Sequence, residues 1–169
     1  MVRDVVKELG YLTLGTRLKR LGERLQSQSQ VLLEGAGFAL PASHFPVLAA
    51  LDRLGPRSVG ELAEAVGLAQ PGVTRLLDKL EGEGLVCSRP QMGDRRVRTM
   101  ALSRSGQQLV ARAKSMVWPL IEDAVADACA GPAGSLLVEL AGLEEALAAA
   151  PLEARAKRLR PAGGKRASA

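Results

Sequence analysis

Apolar residues recur at three- and four-residue steps over much of the chain, a spacing that predicts amphipathic helices. The first such stretch runs from about residue 4 to residue 34 and ends at the "GAGF" segment. One face of this predicted helix carries a leucine stripe, which we expect to lie in the core or in a dimer interface: Leu14, Leu18, Leu21, Leu25 and Leu32.

Three shorter helices are predicted in the middle of the chain. Ser43 is positioned to cap the first, with Pro46 in its first turn. Ser58 and Glu61 have capping-box spacing at the start of the second, and Gly67 follows its last apolar residue. The third begins a few residues later, with either Gln70 or Ala69 as its N-cap, and it turns Val73, Leu76, Leu77 and Leu80 inward.

Two alternating segments follow and predict a β-hairpin. "LVCSRP" and "RVRTMALS" have strand composition, and "QMGD" between them has the residues of a turn. A further helix is then expected from Ser103, with Pro119 kinking it or resetting its hydrogen bonds. The segment at 130–132 breaks it, and Leu136, Leu140, Leu143 and Leu147 predict a last helix.

Composition supports helix-on-helix packing. Aromatic residues make up only 2% of a chain that is 47% hydrophobic, so the core must consist of Leu, Val and Ala. This scarcity of rings also argues against a binding site built on stacking. No apolar run has the length of a membrane span, and charges near the N-terminus argue against a signal peptide, so we expect a cytoplasmic protein.

The net charge of +5 is unevenly distributed. Residues 151–169 alone sum to +5, so residues 1–150 are neutral, and we expect this basic tail to be disordered. Within the neutral part, residues 87–104 carry five arginines and one aspartate, a local charge of +4. A hairpin with this charge either protects a sheet edge or binds an anionic partner.

Two helices a tight turn apart, followed by an arginine-rich hairpin, predict a winged helix-turn-helix. An α-helix fits the DNA major groove, and a thin hairpin tip can reach the minor groove. The predicted fold is therefore mainly α with a small β-hairpin wing, and the partner is double-stranded DNA. Residues 43–106 would form the winged helix-turn-helix lobe, within one domain spanning residues 1–150.

The motifs "SVGELAEAVGLAQPGVTRLLDKLEGEGLV", "GDRR" and "LSRSG" resemble, in order, the pattern of the MarR family of transcriptional regulators. The resemblance implies a homodimer held together by helices in residues 4–34 and 104–149. It also implies a palindromic operator, repression as the sign of regulation, and a small-molecule site between the dimerisation helices and the DNA-binding lobe. Pro71 and Gly72 depart from the family pattern, which more often has Ser and a larger residue there.

The expected site residues follow from the pattern and the resemblance together. DNA contacts are expected from the third helix and the wing: Gln70, Gly72, Thr74, Arg75, Lys79, Arg95, Arg96 and Arg98. The resemblance assigns bracing of the wing to Asp94, through a salt bridge to Arg96. Candidate ligand-binding residues are Tyr11, His44 and Trp118.

Other classes of function are less well supported by the residues. One histidine and two distant cysteines do not form a usual metal site, and no nucleophile and base or phosphate loop is recognisable, so we expect neither a cofactor nor an enzyme. Two alternatives stay open. The winged helix could bind a protein instead of DNA, or Cys87 or Cys129 could make the regulator a thiol-based redox sensor.

Overall fold

The structure is a computed structural model that describes residues 3–91, 94–130 and 135–159, with the backbone alone for 90, 91 and 94–98. In chain order the helices and strands are α1 (Val5–Glu8), α2 (Leu14–Gly35), α3 (Phe45–Leu54), β1 (Arg57–Ser58), α4 (Val59–Val66), α5 (Gln70–Gly82), β2 (Val86–Gln91), β3 (Asp94–Leu102), α6 (Arg104–Met116), α7 (Trp118–Cys129), α8 (Leu136–Ala149) and α9 (Leu152–Leu159). Short 3₁₀ helices at Gly10–Thr13 and Ala42–His44 precede α2 and α3. The chain divides into two compact units, Met1–Ala124 and Val125–Ala169.

The core of the first unit lies between α3, α4, α5, the sheet and α6. Its fully buried side chains are aliphatic, as the composition predicted: Leu33, Val47, Leu48, Leu62, Val73, Leu77, Leu80, Val110 and Val117. Each such side chain contributes about 1.5–3 kcal/mol by leaving water. These contacts hold α5 and the strands in fixed positions relative to each other.

The N-terminal stretch is not the single helix that its spacing predicted. Gly10 adopts a φ of 56°, a left-handed conformation that a helix cannot continue through. The chain therefore forms α1, a 3₁₀ turn and the longer helix α2. The predicted leucine stripe lies on α2, where Leu18, Leu21 and Leu25 are between 36% and 46% exposed. In the single chain this stripe is therefore not core.

The predicted caps of α4 are confirmed, the cap predicted for α3 is wrong, and the second of the two candidates for α5, Ala69, is its N-cap. Ser58 and Glu61 form the predicted capping box, and Gly67 ends α4 in the left-handed conformation. Ser43 does not cap α3, because a 3₁₀ turn places His44 at the N-cap. Gln70 is not the N-cap of α5, which starts from Ala69 without a side-chain cap. Pro71 explains this start, since its missing N–H is tolerated in a first helical turn.

The wing is a three-stranded antiparallel sheet in the order β1-β3-β2. β2 and β3 form the predicted hairpin, paired from Val86 with Leu102 outward. The two-residue strand β1 was not predicted, because it is too short to show an alternating pattern. Its pairing of Arg57 with Met100 joins β3 of the hairpin to the start of α4.

Helix α6 begins where predicted and is fitted closely against the sheet. Ser103 caps it by accepting a hydrogen bond from the Gly106 amide. A Cβ on Gly106 would lie 2.0 Å from the carbonyl oxygen of Leu85, so any side chain there would collide with backbone. Glycine at this position therefore sets how near α6 can lie to the turn that leads into β2.

The predicted interruption at Pro119 is confirmed. α6 ends at Met116 and α7 starts at Trp118, with Pro119 as its second residue. Proline cannot donate a backbone hydrogen bond to the preceding turn, and its ring excludes a continuous helix. The resulting break places Trp118 at the beginning of a new helix.

The second unit contains α8 and α9, and α9 corrects the prediction of disorder beyond Pro151. Residues 152–159 are helical, although Leu152 and Leu159 are exposed and no apolar stripe is buried. The reason is local: Lys157 pairs with Glu153 at 2.6 Å, and Arg155 donates to the carbonyls of Ala150 and Ala146 at the end of α8. Residues 160–169 lie outside the described chain, so the prediction for them stays open.

Candidate nucleic-acid interface and apolar cavity

Helix α5 has one buried face and one polar exposed face. Val73, Leu77 and Leu80 are at most 2% exposed and anchor the helix in the core. The opposite face is exposed, as predicted, and carries the expected DNA-contacting residues of the helix: Gln70, Gly72, Thr74, Arg75 and Lys79. A polar exposed face argues against the protein-contact alternative, which requires apolar residues there.

The first turns of α5 hold two of these side chains in place. The Thr74 hydroxyl donates to the carbonyl of Gln70 at 3.0 Å, and Arg75 Nε donates to the carbonyl of Pro71 at 3.3 Å. Among the described residues no carboxylate pairs with Arg75. The terminal nitrogens of its guanidinium are thus free to form the paired donor contacts that suit guanine or phosphate.

Gly72 leaves the first turn of α5 without a side chain at an exposed position. No atom would lie within 4 Å of a Cβ at this position, so packing does not require glycine. Glycine lowers helix stability by roughly 0.5–1 kcal/mol relative to alanine. Neither packing nor helix stability therefore accounts for glycine at this position.

Hydrogen bonds tie α5 to the wing. Glu81 accepts a hydrogen bond from the Ser88 amide of β2 at 3.1 Å, and the Leu85 amide donates to the carbonyl of Leu80 at 2.9 Å. Ser103 donates to the carbonyl of Gly84, in the turn that joins α5 to β2, at 2.6 Å. Helix α5 and the base of the hairpin are consequently positioned together.

The strand pairing becomes irregular near the tip of the wing. Pro90 pairs with Arg98 and Gln91 pairs with Asp94, so residues 95–97 on β3 lie between the partners of two consecutive β2 residues. Such bulges are frequent beside functional sites. The predicted arginines Arg95, Arg96 and Arg98 are thus at or beside a bulge. Their side chains and that of Asp94 lie outside the described part of the chain, and the salt bridge predicted there stays untested.

An apolar cavity of 270 Å³ lies beside the start of α3. Its lining carries one hydroxyl and no charged group: Ser29, Leu33, Ala42, Phe45, Pro46, Ala49, Trp118 and Ile121. Phe45 contacts Phe38 and Trp118 edge to face, at ring-centroid distances of 5.9 and 6.4 Å. Two of the four aromatic residues therefore line this cavity and a third, Phe38, packs against one of them, which the low overall aromatic content did not lead us to expect.

The three predicted ligand-binding residues are not brought together. Trp118 lines the cavity, whereas Tyr11 is 94% exposed on the 3₁₀ turn before α2. His44 is buried but is not among the lining residues, and within the described chain its Nε2 has no hydrogen-bond partner. Burial, and secondarily the charge of Lys79, lowers its pKa, while Glu83 opposes the shift. The lining residues Phe45 and Ile121 were missed, because their spacing is that of ordinary core residues.

Other chemistry is sparse in the described residues. Cys87 is half-buried and Cys129 is exposed, and both are free thiols. Within the described ranges, no three His, Cys, Asp or Glu side chains are grouped as metal ligands. None of the described helices is both long and apolar enough to cross a bilayer.

Comparisons with known proteins agree with this geometry. The sequence model of the MarR family matches residues 40–97, which include α3, α4, α5 and β2. The transcriptional repressor CouR, solved bound to a 23-mer DNA duplex, is 29% identical, with a TM-score of 0.61 over 83% of this chain and 95% of that chain. A mutant of Escherichia coli MarR in complex with operator DNA is 20% identical, with a TM-score of 0.66 over 87% of this chain and 98% of that one. Bordetella bronchiseptica BpsR is 24% identical, with a TM-score of 0.64 over 80% and 93% of the two chains.

Proposed function

We propose that the chain is a MarR family winged helix-turn-helix transcriptional regulator, and that it represses transcription as a homodimer on a palindromic operator. The observation that carries the proposal is the polar face of α5, with Thr74 and Arg75 fixed by backbone hydrogen bonds and aimed away from the core. Repression is supported by CouR, a transcriptional repressor at 29% identity.

On DNA, α5 would lie in the major groove and the wing over the adjacent minor groove. Gln70, Thr74, Arg75 and Lys79 would contact base edges and phosphates, and Gly72 would let the backbone approach. The wing arginines would enter the minor groove, where the negative potential attracts guanidinium groups. Asp94 would hold Arg96 in place, as the family resemblance implies.

A homodimer would cover apolar surface that the single chain leaves exposed. Leu18, Leu21, Leu25 and Leu32 form a row along one face of α2, each at least 36% exposed. On α8, Leu136, Leu137 and Val138 are 48–75% exposed. Contiguous apolar surface of this kind marks protein interfaces, so both helices are suited to dimerisation.

We assign the effector site to the apolar cavity. Its volume of 270 Å³ suits a ligand of about one ring, and its lining offers a single hydroxyl at Ser29. No charged lining side chain would compensate a buried carboxylate. The effector is therefore an uncharged, largely apolar molecule. BpsR, which shares the fold, has its DNA binding regulated by a different kind of small molecule, 6-hydroxynicotinic acid.

The test of DNA recognition is a matched pair of arginine variants. Arg75→Gln removes an exposed guanidinium from α5, and Arg53→Gln makes the same charge change on the exposed end of α3. We expect Arg75→Gln to weaken binding to a selected duplex by about 1–3 kcal/mol and to relax base preference at one position in each half-site. Arg53→Gln should do neither. Equal, sequence-independent losses in the two variants, measured by fluorescence anisotropy, would contradict base readout by α5.

A further inference from the structure

A second cavity, of 250 Å³, lies between α1 and α2 and is lined mainly by cations. We define the basic pocket by its lining residues: Asp4, Lys7, Arg17, Arg20, Leu21 and Arg24. Four cations against one carboxylate give it a charge of 4 − 1 = +3. We propose that this basic pocket binds a small oxyanion ligand, through phosphate or carboxylate oxygens.

The wall of the pocket is held in place by the fold-back of α1 on α2. Asp4 caps α1 and also accepts two hydrogen bonds from the guanidinium of Arg20, at 3.0 and 2.7 Å. The Thr13 hydroxyl donates to the carbonyl of Val6 at 2.6 Å and fixes the turn between the helices. Lys7 from α1 therefore faces the same cavity as Arg17 and Arg24 from α2.

The nearby carboxylates are already engaged. The hydrogen bonds from Arg20 hold the pKa of Asp4 at about 2, so this carboxylate is ionised and committed to Arg20. Glu8 pairs with Arg3 at 2.9 Å. Throughout the described chain, no carboxylate forms a salt bridge with Lys7, Arg17 or Arg24. Three cationic groups thus line one concavity without an internal counter-charge.

A merely solvated helix face would not be arranged in this way. Arg17, Arg20 and Arg24 follow one another at steps of three and four residues, a like-charge spacing that destabilises a helix by a few tenths of a kcal/mol per pair. On another face of α2, Lys19 and Glu23 form an ordinary i,i+4 pair at 3.9 Å. Helix α2 therefore carries charges of opposite sign on the face with Lys19 and Glu23, and charges of one sign on the face that lines the pocket.

The cations of the pocket lie beside the leucine row on α2, and the pocket shares one residue, Leu21, with that row. At about 100° per residue, the three arginines are centred about a quarter turn around α2 from the leucine row. None of the pocket residues belongs to α5, the wing or the apolar cavity. The ligand would be held as arginine and lysine usually hold oxyanions, with guanidinium forks from Arg17 and Arg24 and a single ammonium from Lys7.

The experiment is calorimetric titration of the full chain with inorganic pyrophosphate and, separately, with citrate, at constant ionic strength. We expect saturable binding of at least one of them with one site per chain. Arg17→Gln and Arg24→Gln should each weaken it about tenfold. Lys19→Gln, the matched control on the same helix but outside the pocket, should change it less than about twofold.

Each outcome decides the proposal or the ligand group. Binding of pyrophosphate alone assigns phosphate chemistry, and binding of citrate alone assigns carboxylate chemistry. Equal losses in all three variants would show general charge screening and overturn the proposal, as would the absence of saturable heat with both anions. If a short DNA duplex displaced pyrophosphate with one-to-one stoichiometry, DNA would be the ligand of the pocket, and the assignment to a small ligand would be overturned. Loss of operator binding in Arg75→Gln is independent of all these results.

Discussion

At the scale of single residues, two glycines play opposite roles. Gly106 is required by packing, because a Cβ there would lie 2.0 Å from the Leu85 carbonyl oxygen. Packing does not require Gly72, because no atom would lie within 4 Å of a Cβ at this position. Gly106 belongs to a motif that resembles the MarR family, Gly72 departs from the family pattern, and the sequence alone could not show which of them the fold itself needs.

We predict opposite changes in stability when each glycine is replaced by alanine. Gly106→Ala should lower the free energy of unfolding by roughly 2–4 kcal/mol, because backbone must move. Gly72→Ala should raise it by about 0.5–1 kcal/mol, since the exposed helix position has room for a methyl group. Urea unfolding followed by the fluorescence of Trp118, the single tryptophan, measures both.

Equal free energies of unfolding in the two variants would contradict this prediction. Gly72→Ala also reports on the interface. Weaker operator binding by a variant that is more stable than the parent would show that DNA comes close to this turn of α5.

His44 gives the molecule a pH dependence of known sign. Its pKa is lowered from 6.5 by burial first and then by Lys79, so the unfolded chain binds a proton more readily than the folded chain. Stability from the neutral imidazole is therefore present above pH 6.5 and decreases as the pH falls through 6.5 towards the folded-state value.

Urea midpoints at about pH 7.5 and 5.5, on either side of the ordinary histidine pKa, test this, and His44→Met is the matched variant. The midpoint of the parent should fall at the lower pH, and the substitution should remove most of that difference. In the described structure the Nε2 atom has no partner that the variant would leave unpaired. Because the chain has one histidine, its NMR titration can be assigned directly. A titration midpoint at or above 6.5 would contradict the lowered pKa.

At the scale of elements, regular periodicity and capping residues were sufficient to predict α4, α5, the hairpin and the break at Pro119. The failures have physical causes. Gly10 interrupts the chain before Leu14, where the predicted leucine stripe begins, so the stripe gave no sign of the break, and β1 was too short to produce a pattern. α9 forms through an ion pair and carbonyl contacts of Arg155, which apolar periodicity does not register.

The candidate site also has one part that the sequence predicted and one part that it did not. The exposed face of α5 could be predicted because its apolar positions fix which residues point outward. The cavity as a whole could not, because Phe45 of α3 is far in the chain from Trp118 and Ile121 of α7. Low aromatic content says nothing about where the few rings lie.

The cavity predicts discrimination between neutral and anionic rings. Benzamide and benzoate have nearly the same shape, but only benzoate carries a charge that the lining cannot compensate. We expect benzamide at millimolar concentration to raise the melting temperature and change Trp118 fluorescence, and benzoate to do neither through this cavity. Ala49→Leu, which fills part of the cavity, should abolish the benzamide effect. A stronger response to benzoate that Ala49→Leu also removes would refute the assignment.

At the scale of the whole molecule, each surface has the polarity and charge that suit a different kind of partner. The polar face of α5 and the wing suit DNA, the leucine row suits a second chain, the apolar cavity suits an uncharged effector, and the basic pocket suits an oxyanion. In the proposed dimer, a ligand can regulate DNA binding only by favouring one arrangement of the two chains over another. The central claim is therefore that a dimer reads a specific two-fold symmetric sequence.

Selection of tight-binding duplexes from a random-sequence pool tests that claim most directly, when it is followed by sedimentation of the selected complex. We expect recovery of a palindrome whose half-sites are about one helical turn, ~34–36 Å, apart. We also expect two chains bound per duplex and an affinity that falls steeply with salt. Binding without sequence enrichment, or one chain per selected duplex, would contradict that claim.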